Sequence, residues 1–530
     1  MGHNLSHAKN LATLLNAHMP AHYIFSEQEK SINVSDIQTD SRLVKKGSIF
    51  VALKGLTQNG ETFVSAAIAK GSSAVLVDSQ SELEGSVPGV PVLPVVNLTK
   101  KLSCIASRFF DEPSQKLSVV GVTGTNGKST VVSLVAQLFS HLGKKSATLG
   151  TLGYGVIGEY LIETGMTTPD AVQCQRILAD LVDEHVDVVS MEVSSHGIDQ
   201  NRVSSISFGA VILTNITRDH LDYHGSFSAY AETKTAFVCG EQSKLAIINL
   251  DDDLGLALVE SLQKSQKPFF CFAIKNSQAD VYVKDVEYFP TGMRVSIHSP
   301  WGAVSFITSM VGSFNLSNIL AAVTAICGLG QSLEKVVAGI HRLRPVAGRM
   351  QRVDPLAHTP SEGAYPKVYV DYAHTPDALE KSLEALAQHT CDKIWVVFGC
   401  GGDRDKGKRP QMARIAQMNA HCVVVTSDNP RSESPASIID DIAQGFSREK
   451  NTSAIAKIGD RKEAIEFAIN NCEINDCVLV AGKGHEDYQI IGNQKKTFSD
   501  YLVAQQALTG RLIAGATHSA MPSSQEDTRL

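Results

Sequence analysis

The stretch Gly121-Val122-Thr123-Gly124-Thr125-Asn126-Gly127-Lys128-Ser129-Thr130 decides the reading of this chain, because a glycine-rich turn here joins an apolar run to an amphipathic one. Residues 117–122 read as a short buried strand. From Lys128 onward Val131, Leu134, Val135, Leu138 and Leu142 share one face at helical spacing, so a helix is expected there. The glycines let backbone N–H groups turn toward an anion, and the helix adds its positive dipole end. In such a phosphate cradle Lys128 reaches the β- and γ-phosphates of a nucleotide and Ser129 a magnesium ion. One position departs from the general pattern: Val122 stands where the first glycine is expected, and Gly121 comes one residue early. A glycine-rich turn carrying a surface lysine is the plain alternative. The order strand, loop, helix favours the cradle.

At 530 residues the chain has room for three or four domains. Its 43% hydrophobic and 19% charged content is that of a globular protein. A net charge of −7 makes no electrostatic case for nucleic acid. The ten cysteines include no C-x-x-C pair, and Cys104, Cys271 and Cys327 sit in apolar surroundings as reduced thiols would. Residues 1–21 are amphipathic, with His and Asn where a signal peptide is apolar, and no run of about 18 apolar residues occurs. The expectation is a cytoplasmic protein in a reducing compartment, bound neither to nucleic acid nor to membrane.

The expected fold class is α/β with three domains and a tail. Residues 1–115 read as a small N-terminal α/β domain, with a helix over 63–70 closing at Gly71. Residues 116–344 read as a central parallel-sheet domain built on the P-loop, with strands at 186–193 and 210–214 and a connecting helix over 173–184. A small antiparallel addition is expected over 280–308. Residues 345–512 repeat the grammar as a Rossmann-like α/β domain, with apolar strands at 368–370, 394–398, 423–426 and 478–481, each followed by a polar loop. Ligands in open parallel sheets bind beyond those strand ends. Residues 513–530, rich in Ser, Thr and Gln, read as a disordered tail.

Glu192 ends a central strand and His220 follows the next one, so both emerge at the sheet edge that carries the P-loop. A carboxylate and an imidazole near Ser129 can hold a hard divalent cation. His220 sits in Arg218-Asp219-His220-Leu221-Asp222-Tyr223-His224, too polar a setting for a core histidine. In Thr167-Thr168-Pro169-Asp170, Thr168 is the expected helix N-cap, with Pro169 in the first turn. Lys234, read from its residues alone, is a helical surface lysine.

Residues 124–130, Met191-Glu192-Val193-Ser194-Ser195-His196-Gly197, Thr214-Asn215 with Arg218-Asp219-His220, Phe314-Asn315 with Asn318, Gly348-Arg349, and Asp371-Tyr372-Ala373-His374 together resemble the Mur ligase family. The resemblance covers residues 25–510. It implies an ATP-dependent amide-bond former of peptidoglycan assembly that uses magnesium. Asp40-Ser41-Arg42, residues 194–202 and 399–410, and Asp428-Asn429-Pro430-Arg431 resemble the branch that adds meso-diaminopimelate to UDP-N-acetylmuramoyl-L-alanyl-D-glutamate.

By that resemblance ATP is held by Gly124, Thr125, Asn126, Gly127, Lys128, Ser129 and Thr130, with Asn315 and Asn318 near adenine, Arg349 near the phosphates and Asp371 near the ribose. Lys128, Glu192, His220 and Lys234 are the implied catalytic residues. Magnesium falls to Ser129, Glu192, His220 and Lys234, the last in the position the family carbamylates. The muramoyl dipeptide falls to Thr39, Ser41, Leu56, Thr57 and Gln58, and to Thr167, Thr168, Ser194, Gln200 and Arg202. Diaminopimelate falls to Arg404, Asp428, Asn429, Pro430, Arg431, Gly482 and Glu486. An Arg431 guanidinium can clamp the distal carboxylate bidentately, whereas lysine has only an ammonium to offer there. ATP would phosphorylate the glutamyl γ-carboxylate, and the diaminopimelate amine would attack the acyl phosphate. A monomer is expected. A lysine-adding ligase of the same family, a folylpolyglutamate synthase and a P-loop nucleotide switch without ligase activity are the competing readings.

Overall fold

The computed structural model describes residues 8–55, 58–83, 89–217, 219–356, 365–389, 392–447 and 453–519. They form two compact units, one built on the described residues up to 283 with 297–304 and 318–339, the other on 284–296, 305–317 and those from 340.

In the first unit, strands Asp36–Gln38, Ser48–Val51, Ala74–Asp78 and Val92–Val95 form a parallel sheet in sequence order. Alternation along the strands divides the core. Ile49, Val51 and Leu76 face Leu98, Leu102, Ile105 and Phe109 of the helix Leu98–Phe109, while Phe50 and Val75 face Val64 and Ala67. Ala171 and Val172 join the first of these clusters, and Arg176 reaches Asp36 at 2.7 Å. The described part of residues 1–115 therefore shares a core with Ala171 and Val172 of the central part, within one unit.

The central sheet has ten strands, in the order Gly302–Thr308, Gly292–Ser299, Val281–Phe289, Phe269–Ala273, Ala246–Asn249, Ala210–Leu213, Ser118–Thr123, Val188–Glu192, Ser146–Gly150, Gly153–Val156. Neighbours from Phe269–Ala273 to Ser146–Gly150 are parallel, as expected of alternating strands and helices. The region 280–308 supplies the expected antiparallel addition: its three strands are neighbours in sequence order, joined by two-residue turns that only antiparallel pairs allow. Its first strand joins Phe269–Ala273 in parallel and extends the same sheet. Glu192 pairs with Val122 and Leu213 with Thr123, so the three strand ends beside the P-loop are level. The chain adds strands first on one side of Ser118–Thr123 and then on the other, which opens a crevice at its C-terminal end.

The helix after Gly-Thr-Asn-Gly runs over Lys128–His141 and buries Val131, Leu134, Val135 and Leu138 completely. The cap of the helix Ala171–Asp183 differs from expectation. Asp170, not Thr168, accepts from the N–H groups of Val172 and Gln173, at 2.9 and 3.1 Å. The carboxylate lies one residue nearer the helix than Pro169, which frees the Thr168 hydroxyl to donate to Glu192 O and accept from Ser194 N.

In the second unit a six-stranded sheet runs Gln351–Val353, Lys367–Asp371, Cys477–Ala481, Ile394–Phe398, Cys422–Val425, Ala454–Lys457, parallel except at its first pair. A hairpin of Tyr488–Ile491 and Gln494–Thr497 follows. The last helix, Asp500–Ser519, carries regular structure through residues 513–519, where a disordered tail was expected; the rest of that expected tail lies outside the described residues. Its first residue, Asp500, is paired with Arg461 through two hydrogen bonds of 2.7 Å, and both side chains are wholly buried. Asp500→Ala would leave a buried guanidinium unpaired, so a loss of about 3–5 kcal/mol is expected in a urea unfolding curve. An unchanged midpoint would contradict this. No helix among the described residues is long and apolar enough to cross a membrane.

Candidate active site

Two loop clusters carry the expected residues, one in each unit. In the first, Gly124 and Gly127 take φ of 146° and 85°, conformations that side chains rarely adopt. A Cβ at Gly124 would lie 2.0 Å from Thr214 Oγ1, and one at Gly127 would lie 2.6 Å from Asn318 Oδ1. The loop is pinned by the end of the neighbouring strand. Thr125 N donates to Asn215 O and Asn126 N to Asn215 Oδ1, while the Thr214 hydroxyl donates to Asn126 O at 2.6 Å. Lys128 Nζ folds over the loop onto Gly124 O and Thr125 O, at 3.0 and 2.8 Å. Ser129 and Thr130 follow it in the first turn of the helix.

Lys234 corrects the surface reading. It sits in the helix Phe227–Cys239 with 1% of its surface exposed, because that helix lays its Tyr230 and Phe237 side against the sheet core. Its Nζ donates to Gly124 O at 2.9 Å and to Thr123 Oγ1 at 3.2 Å, and lies 5.0 Å from the centre of the Tyr230 ring. Burial, with the Lys128 charge nearby, holds this amine well below the usual lysine range.

Glu192 is buried at the end of its strand, where it accepts from Thr151 N at 3.0 Å and the Thr151 hydroxyl at 3.2 Å. His220 is half exposed, with Nε2 3.5 Å from Asp219 Oδ2 and its ring edge-on to His196. Among the described residues no three His, Cys, Asp or Glu side chains are placed together to hold a metal. The donor chemistry, a carboxylate with lone pairs to spare and a hydroxyl at a helix N-terminus, does suit a hard cation.

The residues expected to hold the dipeptide form a connected group. Thr167 bonds Thr151 at 3.0 Å, Thr168 bonds Ser194 N, and Arg202 donates to Thr168 O at 2.6 Å and to Gln200 Oε1 at 2.6 and 3.1 Å. Ser194 also caps the short helix Ser195–Asp199. Thr39 reaches Asp170 at 3.4 Å, while Ser41 is half-buried and Gln58 exposed. Leu56 and Thr57 lie outside the described residues.

In the second unit the strand-end loops converge on Lys483, a wholly buried lysine that the sequence placed in a loop but gave no role. Its ammonium donates to Glu486 Oε2 at 3.0 Å and Asn429 Oδ1 at 3.1 Å, and stands 3.5 Å from Asp428 Oδ1. Asn429 donates to Glu486 as well. Asp428 Oδ1 is buried and accepts no hydrogen bond, its charge facing the Lys483 ammonium. Arg431 takes φ of 52°; its backbone pairs with Ile490 and Gly492, and its guanidinium donates to Gly402 O at 2.8 Å. Pro430 lies between these residues, Arg404 is exposed, and Gly482 needs its φ of 120°.

Asp371 is buried. It accepts from Met350 N, Ala373 N and the Ser382 hydroxyl, and burial raises its carboxyl against the lowering effect of Arg349. Arg349 lies over the Tyr372 ring at 4.5 Å. Asn315 donates to Val311 O.

Family models now match almost the whole span: the Mur ligase catalytic domain over residues 33–110, the Mur ligase middle domain over 122–326 and the glutamate ligase domain over 348–484. The chain belongs to the Mur ligase family. It is 42% identical, over 92% of its length and 98% of the relative's, to the UDP-N-acetylmuramoyl-L-alanyl-D-glutamate--2,6-diaminopimelate ligase of Pseudomonas aeruginosa. The protein of the same description from Chromobacterium violaceum is also 42% identical, over 91% of this chain and 96% of its own. A solved structure of such a ligase superposes with a TM-score of 0.72 at 33% identity, over 97% of this Mur ligase and 100% of that chain.

Proposed function

We propose that this Mur ligase joins meso-diaminopimelate to the D-glutamyl γ-carboxylate of UDP-N-acetylmuramoyl-L-alanyl-D-glutamate at the cost of ATP, a step of peptidoglycan precursor synthesis. Residues 1–115 and 116–344 would serve the dipeptide and ATP, and 345–512 the amino acid. The relatives of the same printed description support the reaction. The observation that carries the choice of amino acid is Arg431, which forms no salt bridge among the described residues and stands on the same loop as the Asp428 carboxylate. An ammonium and a distal carboxylate on one substrate match that pair.

A carboxylate is a poor electrophile, so its oxygen first attacks the γ-phosphorus of ATP, ADP leaves, and an acyl phosphate forms. Lys128, lifted from its two loop carbonyls, would place its charge on the transferring phosphoryl group, and the Gly124–Gly127 backbone would cradle the others. Magnesium, held by Ser129, Glu192, His220 and a carbamylated Lys234, would supply neutralising charge at the phosphate oxygens. A buried neutral amine is the form that adds to carbon dioxide, giving a carbamate and one proton; the environment of Lys234 supports that modification. The diaminopimelate amine then attacks the acyl carbon and phosphate leaves. A cytoplasmic monomer is part of this reading.

ADP release tests it: turnover should need both the muramoyl dipeptide and the amino acid, whereas slow hydrolysis indifferent to either would point to a nucleotide switch. Arg431→Ala is expected to weaken diaminopimelate use by about 2–4 kcal/mol and to narrow the preference over lysine. Apparent Michaelis constants for both amino acids check this, and an unchanged diaminopimelate constant would show that Arg431 does not read the distal carboxylate.

A further inference from the structure

The dipeptide group contains one side chain that the sequence did not single out. The Tyr223 hydroxyl donates to Asp199 Oδ2 at 2.7 Å and receives Gln200 Nε2 at 3.1 Å. The polarity of these bonds has only one consistent direction. A carboxylate can only accept, so the phenol must donate to Asp199, and the lone pair it has left can only accept. That fixes the Gln200 amide with its nitrogen toward Tyr223 and its oxygen toward Arg202, whose guanidinium donates to it twice, at 2.6 and 3.1 Å. Arg202 then spends a third donor on Thr168 O, at 2.6 Å. The chain of hydrogen bonds runs from Arg202 through Gln200 and Tyr223, each donating to the next, and ends on Asp199 as acceptor.

We propose that Tyr223 is a positioning residue for the muramoyl dipeptide: its hydroxyl sets the orientation of the Gln200 amide and, through it, of the Arg202 guanidinium. This rests on the function proposed above. Tyr223 lies in the short helix Leu221–His224, whose N-cap is His220, and its ring packs on His196 at 4.1 Å between centres. The ring anchors the side chain, and the hydroxyl supplies the directional information. Without the hydroxyl the Gln200 amide can turn over and present its nitrogen to Arg202, donor against donor, which would release the guanidinium from its place.

Tyr223→Phe keeps the ring and removes only the hydroxyl. The expected result is a rise of roughly tenfold in the Michaelis constant for UDP-N-acetylmuramoyl-L-alanyl-D-glutamate, with kcat at saturating dipeptide and the constants for ATP and diaminopimelate within twofold of wild type. Calorimetric titration with the dipeptide should show the same tenfold loss in Tyr223→Phe. A Tyr223→Phe protein that binds dipeptide like wild type, or one that loses kcat and all three substrates alike, overturns the positioning role. A wild-type protein with no affinity for the dipeptide would overturn the proposed function, and this inference with it.

Discussion

Lys128→Ala is expected to lower turnover by about a thousandfold or more while leaving the protein folded. The size follows from what the residue does: a positive charge aimed at a transferring phosphoryl group in a partly dehydrated site is worth several powers of ten. No neighbour can replace it. Lys234, the other amine at the loop, is buried, holds Gly124 O and Thr123 Oγ1, and is driven toward its neutral form. The fold should tolerate the change, since Lys128 opens its helix and bonds carbonyls of its own loop that water can satisfy. Steady-state ADP release beside a thermal unfolding curve checks both halves. Turnover within tenfold of wild type in a folded variant would remove Lys128 from the phosphoryl-transfer step.

Lys234→Met is expected to abolish activity and yet to stabilise the protein near neutral pH. Burial lowers the pKa of this amine in the folded state, while the unfolded chain keeps the ordinary lysine value of about 10.4. Between those two values the unfolded state binds more protons, so the wild type gains stability as pH rises through that window. A methionine has no proton to exchange and lacks this dependence. In buffer freed of carbon dioxide its melting temperature should exceed that of wild type at pH 7, with the gap closing toward pH 10. A gap that widens with pH would contradict the burial of a neutral amine. The activity half separates the modification from a packing role: Lys234→Ala should regain part of its activity when a short carboxylate is added, since the acid can stand where the carbamate oxygens would. A Lys234→Ala enzyme of full activity would dismiss the carbamate.

The short apolar strands followed by polar loops were legible because parallel strands buried on both faces are nearly uniform in composition, as in Val478 to Ala481. The hairpin of Tyr488–Ile491 and Gln494–Thr497 was not, because its second strand is Gln-Lys-Lys-Thr, fully exposed and without alternation. Yet it fixes the backbone of Arg431 through Ile490 and Gly492. The strand Ala454–Lys457 escaped notice for a similar reason, being a short edge strand with no buried residue. The burial of Lys234 is a tertiary fact. Nothing in Tyr-Ala-Glu-Thr-Lys says which side of the helix Phe227–Cys239 meets the sheet; the contacts of Lys234 with Gly124 O and Thr123 Oγ1 reveal it. Thr168 and Asp170 were both chemically able to cap one helix, and the choice fell to the side chain beyond the proline. The role of Lys483 was hidden because its partners Asp428, Asn429 and Glu486 come from two loops about 55 residues apart, brought together because the strands before them, Cys422–Val425 and Cys477–Ala481, flank Ile394–Phe398 on its two sides.

The central claim is that this chain makes a muramoyl tripeptide ending in diaminopimelate. The direct measurement is to supply ATP, magnesium and UDP-N-acetylmuramoyl-L-alanyl-D-glutamate together with equal amounts of meso-diaminopimelate and L-lysine, and to weigh the product by mass spectrometry. The expected result is one new species heavier by a diaminopimelyl residue, formed in step with ADP. A product carrying lysine in equal or greater amount, or ADP released with no peptide product, would contradict it.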